Sequence, residues 1–116
     1  MPVLLSVHAT EKSTYIVTIT FTEENGAVVI PDTIKWTLTD LYNTTINSLE
    51  DVIIAVPAAS NDVLLKGDDL QILGSGDDGA RVFTVEATYT SLTFGANLPL
   101  NGSARFSVDD LIAVNG

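Results

Sequence analysis

Thr33-Ile34-Lys35-Trp36-Thr37-Leu38-Thr39-Asp40 is the stretch from which the rest of the chain is read. Ile34, Trp36 and Leu38 alternate with Lys35, Thr37 and Thr39. Side chains of an extended chain change face at every residue. This segment therefore predicts a strand with an apolar face on a core and a polar face in solvent. The pattern returns in Tyr15-Ile16-Val17-Thr18-Ile19-Thr20-Phe21-Thr22 and in Val82-Phe83-Thr84-Val85-Glu86-Ala87-Thr88-Tyr89. Half-buried strands of this kind, one with a central Trp and one closing on Tyr, point to a β-sandwich.

Turn residues divide the chain around these strands. A first strand is expected over Val3 to His8 and a second over Thr14 to Thr22. The second ends at Glu23-Glu24-Asn25-Gly26, where Asn-Gly accepts positive φ at little cost. Ala27 to Ile30 runs extended into Pro31, which lacks a ladder donor and so belongs at an edge or in a connection. Past the Thr33 to Thr39 strand and a turn at Asp40 to Asn43, short strands are expected over Thr44 to Ser48, Asp51 to Val56 and Asp62 to Lys66. Gly67 to Leu70 is a crossover with one helical turn. Gly74 to Gly79 is a loop into a long strand, Ala80 to Ser91. A second loop, Leu92 to Gly102, leads to the last strand, Ser103 to Val108. With no 3.6-residue period, this makes an all-β antiparallel sandwich of about seven to nine strands, in a single domain over residues 1–116.

Composition narrows the function classes. Fifteen acidic and five basic residues give a net charge of -10. Lys12, Lys35, Lys66, Arg81 and Arg105 are scattered, whereas a nucleic-acid binder needs clustered cations against phosphate. No nucleic-acid partner is expected, and no membrane partner either, since an anionic bilayer surface repels such a chain. Mean hydropathy is nevertheless positive. That surplus of apolar residues points to oligomerisation or docking into an assembly. The chain has no cysteine, which excludes disulfides and thiolate metal sites. The N-terminus lacks a basic region followed by an apolar run, and its Met suggests a complete small gene product.

The chemistry-bearing residues are sparse. Asp68-Asp69, Asp77-Asp78 and Asp109-Asp110 offer carboxylates for calcium, but no EF-hand spacing accompanies them, and Asp also favours turns. His8 is the single histidine, with no Ser and Asp set beside it by any motif. Glu86 lies on the polar side of a strand, where solvation explains it. No catalytic residue, metal site or cofactor is expected. Asn43-Thr44-Thr45 and Asn101-Gly102-Ser103 match a glycosylation pattern that is accidental without secretion. Trp36 shares its face with Ile34 and Leu38, so core packing outweighs a sugar-binding platform. Tyr42, in a turn, is freer to make contacts. The segment from Leu92 to Leu100 carries Leu92, Phe94, Leu98 and Leu100 where a loop is expected. Apolar residues on a loop mark either a partner surface or a lid over the sandwich end.

The run Tyr15 to Gly26, followed by Ile34 to Asp40, resembles bacterial and phage immunoglobulin-like domains. In these a strand of this kind ends in an acidic Asn-Gly turn and leads to a strand with an aromatic residue. The resemblance extends over Ala80 to Tyr89 and the final strand, without a Cys pair. More narrowly, Leu65-Lys66-Gly67-Asp68-Asp69-Leu70 and Arg105-Phe106-Ser107-Val108-Asp109-Asp110-Leu111 are similar to small acidic proteins encoded among phage head and tail genes. The resemblance implies an immunoglobulin-like sandwich made in a bacterial cytoplasm and carried in the virion as a structural or decoration protein. Its implied partners are capsid, connector or tail proteins, or further copies of itself. The alternative is an immunoglobulin-like binding module that takes carbohydrate or a cell-surface ligand through its loops.

Overall fold

The computed structural model describes residues 3–4, 8–73 and 77–109. Eight strands occur among them: β1 (Val3–Leu4), β2 (Ala9–Thr10), β3 (Thr14–Thr20), β4 (Thr33–Thr39), β5 (Val52–Ile53), β6 (Ser60–Lys66), β7 (Ala80–Ser91) and β8 (Gly95–Asp109). The only helical element described is a 3₁₀ turn over Gly67–Leu70, where the crossover is expected. The protein is all-β. One sheet has the order β1-β8-β7-β4-β5, with β2 also pairing β8, and β3 and β6 form a second, two-stranded sheet.

Alternation in the sequence becomes burial in the fold. Ile34, Trp36 and Leu38 of β4 are buried, as are Phe83, Val85 and Ala87 of β7. From the other sheet Tyr15, Val17, Val63 and Leu65 enter the same core. Trp36 stacks on Phe83 with ring centres 5.0 Å apart, and Tyr15 of β3 stacks on Phe106 of β8 at 4.8 Å. Burying each such side chain contributes about 1.5–3 kcal/mol. A slip of one residue would turn a whole strand's apolar set to solvent, so the registers are strongly specified.

Direction is where the antiparallel expectation fails. β1 pairs β8 in parallel through Val3↔Ala104, and β2 does so through Ala9↔Val108. The large sheet is therefore mixed. Alternation says which face a residue takes but nothing about which way its neighbour runs. Of the expected first strand, Val3 to His8, the structure shows β1 at its start, β2 begins just beyond its end, and residues 5–7 lie outside the described residues.

The larger correction concerns residues 92–102, expected as a loop. The chain turns within three residues after Ser91, and β8 begins at Gly95. Leu98 lies opposite Tyr89, Leu100 opposite Ala87 and Gly102 opposite Val85. Pro99 misleads the sequence reading because proline normally ends a ladder. Asp32 N–H donates to Thr88 O at 2.7 Å, so Thr88 turns its backbone toward β4. Its opposite number, Pro99, therefore turns its nitrogen away from β7, and no ladder bond is lost. Two other expected strands shrink. Residues 44–48 form only an isolated bridge, Thr39↔Thr45, because the chain turns away through positive φ at Asn47 (50°) and Ser48 (59°). Of residues 51–56 only β5 is a strand, since Asp51 also has positive φ (51°).

The long β7–β8 hairpin draws the molecule out to 53 × 24 × 23 Å. Its base is closed by Gly79, whose φ is +81°. A Cβ there would collide with Val108 O, and Gly79 O accepts Val108 N–H at 2.8 Å. Only glycine permits both the conformation and that approach.

Candidate interaction surface

The tip of the hairpin exposes the large apolar residues that the sequence placed in a loop. Leu92 is 107% exposed and Phe94 66%. Leu98 and Leu100 do not join them. Both are half-buried, and Leu100 packs against the core, because residues directly opposite in an antiparallel pair share a face and their partners Tyr89 and Ala87 are buried. The expected surface divides into a free tip and a seated stem.

Hydrogen bonds hold the tip in shape. Ser91 Oγ accepts the backbone N–H groups of Thr93 and Phe94, both at 3.1 Å. Its own proton goes to Glu24 Oε2 at 3.1 Å. Tyr89 Oη donates to the other carboxylate oxygen, Glu24 Oε1, at 2.8 Å. One carboxylate from the turn after β3 thus holds two hydroxyls of β7, and one of those caps the turn that presents Phe94. Tyr89's hydrogen bond is the main cause that lowers the Glu24 pKa, and Glu24 in turn raises that of Tyr89. Nearby, Thr90 Oγ1 donates to Asp32 Oδ2 at 2.7 Å. The segment that supplies Glu24 also exposes Val28 and Ile30.

Tyr42 lies elsewhere. It sits in the turn after β4, whose last residue Thr39 pairs with Val82 at the base of β7, and it is 88% exposed. Beside it Asp40, Leu73, Asp77 and Asp78 line a shallow depression. Its carboxylates have local work. Asp40 Oδ1 accepts the N–H groups of Tyr42 and Thr44. Asp77 binds the buried Arg81 guanidinium through both oxygens and accepts Leu73 and Gly79 N–H. Arg81 holds the Asp77 carboxyl well below the usual carboxylate range. Asp78 accepts Ala80 N–H.

The remaining chemistry-bearing residues are dispersed. Asp69 accepts Lys66 N–H and the Asn47 amide. His8 Nδ1 lies 2.9 Å from Asp109 Oδ1 at the surface, and Asp110 lies outside the described residues. Glu86 faces solvent, 3.9 Å from Lys35 Nζ. Among the described residues no three His, Cys, Asp or Glu side chains converge as a metal site. None of their helices is long and apolar enough to cross a membrane.

Sequence reasoning missed Glu24, Tyr89 and Ser91 as the frame of the tip. Glu24 and Tyr89 are 65 residues apart, and nothing local to either announces the pairing. Comparisons of the chain with family models, curated proteins and solved structures give no match.

Proposed function

We propose that this protein is a non-catalytic structural or decoration protein of a tailed-phage virion, an immunoglobulin-like module that docks through its hairpin tip onto a capsid, connector or tail protein. Strand order supports the immunoglobulin-like reading. In an immunoglobulin sandwich strands B and E share one sheet and C, F and G the other, with C′ beside C in the variable type. On this reading β3 and β6, which pair with each other, correspond to B and E, the neighbours β4, β7 and β8 to C, F and G, and β5 to C′. Trp36 lies on the C-equivalent strand and is buried, another feature of that fold. The parallel β1 and β2 and the lack of cysteines depart from the simplest pattern.

The observation that carries the docking reading is Phe94. A large ring is held out at the end of the long hairpin by a turn whose N–H groups are already capped, beside a fully exposed Leu92. Binding energy concentrates in a few such anchors, and a preorganised turn loses little entropy on docking.

The test is co-sedimentation of the purified protein with phage particles stripped of it, using wild type and Phe94→Ser. The variant should melt like wild type and attach at least about tenfold more weakly. Equal attachment by the two would remove the tip from the interface. Wild type, Phe94→Ser and Tyr42→Ala on a glycan array address the carbohydrate-binding alternative, which rests on the exposure of Tyr42 at the opposite end. Loss of glycan-array binding by Tyr42→Ala alone would favour it.

A further inference from the structure

The two ends of the molecule carry their charge differently. All five basic residues sit from the middle toward the hairpin base. Arg81 and Arg105 lie opposite Phe106 and Val82 in the lower part of the β7–β8 hairpin. Lys66 pairs with Thr14, next to the Tyr15 that stacks on Phe106, and Lys12 N–H donates to Leu70 O. Lys35 comes closest to the tip, and its Nζ lies 3.6 Å from Asp51 and 3.9 Å from Glu86. The upper end is built from residues 20–34, 54–61 and 87–102, which contain no Lys or Arg. Their acids are Glu23, Glu24 and Asp32. Glu24 accepts from Tyr89 and Ser91, and Asp32 from Thr90. Both carboxylates remain exposed. At the same end Val28, Ile30, Leu92 and Phe94 are exposed.

We propose that the tip recognises a protein surface whose apolar pocket is ringed by lysine or arginine. This rests on the docking reading above and names the chemistry of the partner. An exposed ring suits a lipid bilayer, a stacked base or a protein pocket equally. The carboxylates decide among them. Phosphate accompanies every base and every anionic headgroup, and three carboxylates with no cation among them repel it. A second copy is no better matched. Its tip is equally acidic, and the depression at its base is lined by Asp40, Asp77 and Asp78. A cationic rim on a different protein complements the charge, while its pocket takes Phe94 out of water. Glu24 and Asp32 are tied to the strand that ends in the Phe94 turn, so the charges and the anchor are presented together.

Co-sedimentation with the stripped phage particles over a range of salt tests this. Wild-type attachment should weaken as salt rises, because screening removes an attraction between opposite charges. That response needs no variant to fold. Glu23→Gln with Asp32→Asn removes two charges and keeps an acceptor for Thr90. It should attach at least about tenfold more weakly at low salt, with a flatter salt dependence. Glu50→Gln with Asp109→Asn removes two charges away from the tip and should attach within about twofold of wild type. Melting temperatures check the folding of each protein. Wild-type attachment that strengthens with salt overturns the inference. So does a tip variant that attaches as well as wild type, or equal weakening by both double variants, which would assign the effect to net charge. Binding of wild type to phosphatidylglycerol vesicles but not to phosphatidylcholine vesicles overturns it in favour of a membrane. Phe94→Ser separates the two levels. If it detaches while the charge variant does not, only the cationic rim fails, and if it too attaches like wild type, the docking reading fails with it.

Discussion

The two ends of the β7–β8 hairpin are built from similar strand residues and held by different physics. At the base, Arg81 and Phe83 are buried. Phe83 stacks on Trp36, and Arg81 is fixed to Asp77. At the tip Leu92 and Phe94 are exposed. Shape there comes from one carboxylate, Glu24, and the hydroxyls of Tyr89 and Ser91. Burial is worth several kcal/mol per large side chain, while a net hydrogen bond is worth about 1 kcal/mol. The base therefore belongs to the global stability of the fold, and the tip to local order. A surface needed for docking is best placed where its replacement costs the fold little.

Mutations at the two ends sharpen or break this contrast. The largest effect is expected at Trp36. Trp36→Ala removes a buried aromatic that packs both β4 and β7, and should cost about 3–5 kcal/mol. Against a total of about 5–15 kcal/mol for a domain this approaches unfolding. Urea denaturation gives the value, and a loss below 1 kcal/mol would contradict the packing account.

Next comes the ion pair under the base. Asp77→Ala strands a guanidinium that is fully buried, and removing one partner of such a pair costs about 3–5 kcal/mol. Acid should do the same gradually. Because Arg81 lowers the Asp77 pKa in the folded protein, this contribution is complete above the unfolded carboxylate value of about 3.9. It is lost as pH falls below that value toward the depressed one. Unfolding free energy measured from pH 6 downward should thus fall in acid less steeply for Asp77→Ala than for wild type. Parallel curves would remove Asp77 from the account.

The smallest effect is at the tip. Ser91→Ala removes the acceptor of Thr93 and Phe94 N–H and should cost about 1 kcal/mol. Exchange of those two amides should accelerate while amides at the hairpin base keep wild-type rates. A global loss of protection would show that tip and base form one cooperative unit, and the contrast would dissolve.

Much of the fold was legible because strand alternation is a local signal. β4 and β7 have the bounds that the pattern predicts, and the helical turn over Gly67–Leu70 sits where the glycine and paired Asp suggested. The site was legible in part. Phe94 and Leu92 stood out as apolar residues among turn formers, but the same reasoning included Leu98 and Leu100, which pairing with β7 seats against the stem. Proline and glycine were read as breakers because their local preference is clear. Whether Pro99 breaks a ladder depends on which neighbour its nitrogen faces.

The sequence by itself determined which residues turn inward, since an extended chain alternates faces whatever lies beside it, and burying one face of each strand stabilises the fold by far more than any alternative register. It also determined the acidity of the surface and the lack of thiol chemistry. Only the tertiary structure decided the direction of β1 and β2, the extension of β8 through Pro99, and the joining of Glu24 to Tyr89 and Ser91. These depend on contacts between residues far apart in the chain. A pairing over such a separation leaves no trace in the local pattern of either partner.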